Sequence, residues 1–423
     1  MKRERTIRLL MAVLLAAGMS CLAYADALDL LKAGLAARRQ GDFAAAADFY
    51  TRAIDTGGLS GKDLAAVLTS RGVAYDMVGQ TDRAIDDFTA AIRLNPNHSD
   101  AYVHRGLAWA KKRDFNRAIA DFSDAIPRDP SGAFLALNDR GNAYEAVGEY
   151  DRAIEDYGRA IQLNPGYAAA YYNRADVYYA KLDFDRAVED YSEAIRLEPD
   201  SARAHNSRGV VYRAKGAFDK AIADFDAAIH LNPNDAAVLA SRGNTYAAKG
   251  RFESAVADFS SAIELEPDIA WLYVNRARAE LYLGQTKVAI ADATTALRLN
   301  PSDAYAVIWL HLAHVQDAVD DFHELARNSA NVDHKKWPGS VLDLYLGATS
   351  PETFSVASLS NMDAKVRAER ACEVAFYLGT FYLEQHDRNE AKRRLEAAVN
   401  ACPPSLVELG AAKAELTRLQ STR

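Results

Sequence analysis

The chain is 423 residues long, 49% hydrophobic and 26% charged, with 12 prolines and 23 glycines; this composition suits a large folded body and excludes a disordered polymer. Fifty basic against 58 acidic residues give a formal net charge of −8, and Lys2, Arg3, Arg5 and Arg8 sit at the very start, so the rest is more acidic still. Such a surface repels phosphate backbones and anionic lipid, which argues against nucleic-acid binding and basic-patch membrane binding and points to protein or peptide partners.

The N-terminus reads as an export address. Basic residues precede an apolar run from Leu9 to Ala17, and Ala23-Tyr24-Ala25 offers a small-x-small cleavage pattern before Asp26, so residues 1–25 are expected to be a signal peptide and the mature protein periplasmic. Two alternatives stand beside it: an uncleaved anchor, and a lipoprotein anchored through Cys21, although Gly18 occupies the place where a lipobox wants an aliphatic residue. No membrane-spanning segment is expected after signal removal.

From residue 65 one unit recurs. A small residue stands at Gly72, Gly106, Gly141, Ala175, Gly209, Gly243 and Ala277, and a proline at Pro96, Pro130, Pro165, Pro199, Pro233, Pro267 and Pro301. An aromatic follows the small residue by three positions from Tyr75 to Tyr246, an alanine by twelve from Ala84 to Ala289. A second aromatic, Phe88, Phe122, Tyr157, Tyr191, Phe225 or Phe259, follows by sixteen. Apolar spacing on both sides of a turn signal predicts a helix, a tight turn and an antiparallel helix; the small residues permit close approach, and proline sets the corner into the next unit.

These positions resemble the tetratricopeptide repeat (TPR) family. The resemblance implies an all-α, right-handed superhelical solenoid of helix-turn-helix repeats, with eight units over residues 26–301, seven of them strong over 65–301. Pro127 predicts an early helix stop in the third of the eight units, and Glu280, Thr286 and Ala293, where aromatics stood, predict that the last strong unit meets something other than a standard repeat. Residues 302–370 read as an irregular helical segment. Residues 371–423 read as a final TPR-like unit, with Gly379, Tyr382, Ala391, Ala398 and Pro403 in register, and a C-terminal helix. Residues 308–387 resemble the C-terminal part of NlpI-type envelope lipoproteins, which implies an adaptor role toward envelope proteases and peptidoglycan hydrolases.

Two ladders run through the repeats. Arginine precedes the small residue from Arg71 to Arg276 and aspartate follows sixteen later, from Asp87 to Asp292; these are read as exposed interhelix ion pairs that set register and contribute little each, about 0–1 kcal/mol. Asn173 and Asn275 lie two before the small residue, with Asn138, Asn142, Asn206 and Asn244 nearby on the first helices. The family resemblance implies that first helices line a concave groove, so these six amides are expected to hold an extended peptide backbone; the alternative is a solvated face without a ligand.

No phosphate loop, nucleophile elbow, zinc-spaced cysteine pair or calcium loop is present, so no enzyme, metal or cofactor is expected. His311, His314, His323 and His334 are read as scattered surface histidines rather than a metal site, and Trp309, Tyr345 and Phe376 as core fillers rather than a ligand cage. Cys372 begins the first helix of the final unit and Cys402 follows its second, so antiparallel packing brings them together for a disulfide, against an alternative of two free thiols. The sequence therefore reads as a non-enzymatic exported scaffold or adaptor in envelope maintenance that binds proteins or peptides. A self-assembling structural subunit, or homo-oligomer, and an undetected hydrolase or metal protein are the alternatives.

Overall fold

The computed structural model describes residues 24–360, 362–403, 406 and 408–421. Most of the expected signal segment, with Cys21, lies outside the described residues. The chain divides into two compact bodies, one ending at Lys181 and one beginning at Leu182.

The N-terminal body contains α1 (24–39), α2 (Phe43–Asp55), α3 (Gly61–Met77), α4 (Thr81–Leu94), α5 (Ser99–Lys111), α6 (Phe115–Ala125), α7 (Ala133–Ala146), α8 (Tyr150–Leu163) and α9 (Ala168–Ala180). Successive helices pack as neighbours in chain order. Each repeat closes because the first helix gives up a side chain where the second inserts a ring. A Cβ added at Gly72 would lie 2.6 Å from Phe88, and at Gly141 2.6 Å from Tyr157. The turn between the helices needs a left-handed residue, which Gly148 supplies at φ +79 and Arg113 adopts at φ 63. α6 ends at Ala125, three residues shorter than α4 and α8, as Pro127 dictates.

The C-terminal body continues the pattern through α10 (Phe184–Leu197), α11 (Ala202–Ala214), α12 (Phe218–Leu231), α13 (Ala236–Ala248), α14 (Phe252–Leu265), α15 (Ala270–Tyr282) and α16 (Thr286–Leu299). It then departs through α17 (Ala304–Gln316), α18 (Phe322–Ser329), α19 (Gly339–Tyr345) and α20 (Pro351–Ser358), and ends with α21 (Ala364–Glu384), α22 (Arg388–Ala401) and α23 (Glu408–Ser421). Trp309, Phe376 and Tyr345 are buried in one core with Val274, Ala277 and Leu281 of the last strong repeat. That repeat therefore meets the irregular helices, as its missing aromatics predict. α21 and α22 form a repeat-like pair in which Gly379 faces Leu395 in place of a ring. Cys372 and Cys402 stand at its end with their Cα atoms 4.6 Å apart and their sulfurs 1.97 Å apart.

Candidate functional site

The arginine ladder is the frame on which the first-helix side chains sit. Within the two bodies, Arg71, Arg105, Arg140, Arg208, Arg242 and Arg276 each grip the aspartate sixteen residues on through Nε and Nη2, at 2.6–2.9 Å. Nη1 reaches back to the preceding repeat, as from Arg140 to Ser123 Oγ at 2.9 Å and from Arg276 to Ser260 Oγ at 3.1 Å. The expectation of exposed pairs is corrected: Asp87, Asp121, Asp156, Asp224, Asp258 and Asp292 are all buried. The helix pair closes over the carboxylate, and burial pushes the Asp121 and Asp258 carboxyls up even as their arginines oppose it. A second, exposed ladder that the sequence reading missed joins Lys112 to Asp82, Lys215 to Asp185 and Lys249 to Asp219 across successive repeats.

The six asparagines do not form one open row. In the N-terminal body the Asn173 side-chain amide donates to Asn138 Oδ1 at 2.9 Å and to Asn142 Oδ1 at 3.0 Å. The Tyr157 hydroxyl donates to Asn142 Oδ1 at 2.8 Å and lies 3.1 Å from Glu145 Oε2. Asn138 is buried, whereas Asn142 is exposed. The repeat period places corresponding positions of neighbouring first helices side by side, so these amides satisfy one another. Beside them burial raises Asp139 to about 6, against a hydrogen bond from Asn138.

In the C-terminal body Arg278 takes the linking role. Its Nη2 donates to Asn275 Oδ1 at 2.8 Å and lies 3.5 Å from Asn244 Oδ1, while Asn206 Oδ1 is buried without a hydrogen-bond partner. Arg278 was not picked out from the sequence; the signal was an arginine where other repeats carry Asn142, Val210 or Asn244.

The histidines also depart from expectation. His323 is exposed, but His311 and His314 are buried against Asp321, at 3.0 and 3.4 Å. α17 is apolar nearly all round, so its polar residues are enclosed by α18 and α19. Burial opposes the charged ring of His311, yet the carboxylates of Asp321 and Glu384 outweigh it and raise His311 to about 9. Among the described residues no group of three or more His, Cys, Asp or Glu side chains is arranged to hold a metal ion, and no helix is long and apolar enough to cross a membrane.

Profiles described as tetratricopeptide repeat match residues 30–56, 70–133, 134–167, 175–236 and 274–327, and one described as TPR repeat matches 243–284. The chain belongs to the tetratricopeptide repeat family. Among curated relatives it is 28% identical over 151 residues to a probable UDP-N-acetylglucosamine–peptide N-acetylglucosaminyltransferase SPINDLY of Hordeum vulgare, covering 34% of this TPR chain and 16% of that protein. It is 30% identical over 128 residues to the TPR domain-containing protein PYG7 of Arabidopsis thaliana, covering 29% and 42%. The chain thus spans less than half the length of either relative. Similar solved structures include MamA, at 29% identity and TM-score 0.36 over 38% of this chain and 94% of that one. YrrB, described as a TPR protein with an unusual peptide-binding site, shows 25% identity and TM-score 0.38 over 43% and 93%. A TPR protein from Parabacteroides merdae shows 21% identity and TM-score 0.44 over 59% and 98%.

Proposed function

We propose that this TPR protein is an exported, non-catalytic scaffold that binds a protein or an extended peptide along the open faces of its first helices. The observation that carries the reading is the side-chain mix on those faces in the N-terminal body. Met77 is 58% exposed, Leu107 41% and Tyr179 37%, close in repeat position to the amide cluster of Asn138, Asn142 and Asn173. These large apolar side chains, one, four and five positions after the recurring small residue, share one helix face and give a partner area to cover, and Asn142, exposed at the edge of the cluster, offers a polar anchor. Export rests on the basic and apolar N-terminal pattern and fits the facing pair Cys372 and Cys402; the envelope-adaptor role rests on the sequence of residues 308–387.

The test is capture of partners from envelope extract by the mature chain, in parallel with Met77→Asp/Leu107→Asp and with Asn142→Ala/Asn173→Ala. Partner loss at unchanged helicity supports the reading. Identical partners in identical amounts from all three proteins overturn it, and a concentration-dependent mass without outside partners would favour self-assembly.

A further inference from the structure

The chain's own last helix lies on a first-helix face. α23 packs on α13, α21 and α22. The contact is closest at Gly410, where an added Cβ would lie 2.2 Å from the Ala247 carbonyl oxygen and 3.4 Å from Ala248 Cα. Comparison along the repeats shows what this helix covers. Five positions after the recurring small residue, Met77, Lys111, Ala146 and Ala180 are exposed and Ala214 is half-buried, whereas Ala248 is only 2% exposed; Ala247 before it, at 3%, answers to half-buried Ala110 and exposed Tyr179. Ala247 shares a core with Ala255 and Phe259 of its own repeat, and α23 adds the remaining cover where Gly410 meets Ala247 and Ala248.

The seating is chemically specific at the start of the helix and incompletely filled along its flanks. Leu409, Ala411 and Ala412 join the core that holds Val274, Ala277 and Leu281. Glu408, at the start of α23, is buried; burial pushes its carboxyl up, and the Arg278 guanidinium, which also holds Asn275, pulls against that shift. Farther along, two cavities of about 560 and 380 Å³ flank α23, both lined by Leu281, Tyr282, Gln316, Glu415 and Arg418. The second half of the helix is held by Leu416 and Leu419 against the core and by Arg388, which donates to the Leu419 carbonyl at 2.7 Å, yet the space beside it is not filled. Such incomplete packing forfeits dispersion contacts that a better-filling occupant would regain.

We propose that α23 is a built-in ligand that reversibly occupies the peptide site of the last repeats. A partner displaces it by presenting a helix with glycine and alanine on one face and a glutamate placed to meet Arg278. This rests on the reading of first-helix faces as binding surfaces. It adds that the C-terminal body holds its own face closed, which lowers the apparent affinity of any competitor by the fraction of molecules that are open.

The experiment uses the full chain. Gly410→Leu drives a branched side chain into the Ala247 carbonyl and lifts α23, while the pair Cys372 and Cys402 on the helices beside it is not altered. A fluorescent peptide of residues 408–421 is then titrated into parent and variant and followed by anisotropy. The expected result is binding to the variant at least about tenfold tighter than to the parent, a difference of about 1.4 kcal/mol, and no binding by the same peptide carrying Gly410→Leu. Equal affinity for both proteins, including none for either, overturns the proposal. Should the variant lose helicity beyond one helix, amide exchange on the parent decides: faster exchange in α23 than in α21 and α22 supports a reversible occupant, and equal protection overturns it. Neither measurement needs an outside partner, so each can fail while capture through the N-terminal body succeeds, and conversely.

Discussion

Replacing Gly141 by alanine tests the close approach of helices by the sign of its effect. In the interior of an open helix, glycine to alanine stabilises by about 1 kcal/mol. At Gly141 the new Cβ would stand 2.6 Å from Tyr157 Cε1, 2.9 Å from Cδ1 and 3.0 Å from Cζ. Ordinary carbon contact is about 3.5–4.0 Å, so the ring must retreat by about 1 Å. It has nowhere to go, because Tyr157 is fully buried and its hydroxyl is bonded to Asn142 and Glu145. Overpacking of this kind costs about 1–3 kcal/mol. Set against the helix-propensity gain, a net loss of up to about 2 kcal/mol is expected, with a larger one for Gly141→Leu. Urea unfolding followed by circular dichroism, with amide exchange on α7 and α8, measures it locally, since a repeat array need not unfold in one step. The protein supplies its own control, for Ala277 faces the position where Ala293 replaces the ring. Gly141→Ala should therefore cost far less in a Tyr157→Ala background. A more stable Gly141→Ala in the parent background would refute the close-approach argument.

Removing Asp156 by Asp156→Ala strands Arg140 beside a buried site, and we expect a loss of about 2–4 kcal/mol, below that for a fully buried pair because the arginine keeps some solvent contact; chemical denaturation checks it. Melting temperature should fall as pH rises from about 5 to about 9. Burial raises Glu280 and Glu373 to about 7, so the stability from their protonated forms is complete below their unfolded range near 4.5 and lost as pH rises through 7. Protonated His311 adds stability that is complete below about 6.5 and lost as pH rises through about 9; calorimetry across pH on the parent and Glu373→Gln should show the variant with the shallower fall below pH 7.5. Mass spectrometry after alkylation without reductant should find Cys372 and Cys402 unmodified and cross-linked in the exported protein, with its N-terminus at Asp26; two alkylated cysteines, or an intact leader, would count against the oxidised, exported state.

Much of this protein was legible before any coordinate. A fixed turn between two helices makes residue i and residue i + 16 face each other, so Gly72 with Phe88 and Arg140 with Asp156 follow from spacing alone, and seven recurrences leave no second register to choose. The stop at Pro127 and the meeting of Cys372 with Cys402 follow from equally local rules of chain direction. What spacing could not decide is how much of each group the neighbours cover. The aspartates looked like surface partners and are enclosed, and the amides looked like an open row and are in part bonded to one another. His311 and His314 lie on a helix apolar on every side, where periodicity marks no outer face, and only the packing of α18 and α19 buries them. The seat of α23 lies furthest beyond the sequence: Gly410 and Ala247 are joined by no repeat and no pattern, and their contact exists because the irregular helices after Pro301 turn the chain back onto positions where earlier repeats leave Met77, Lys111, Ala146 and Ala180 exposed. Repetition fixed the local pairing of helices; the non-repeating end, with no period to constrain it, left the covered surface to tertiary packing.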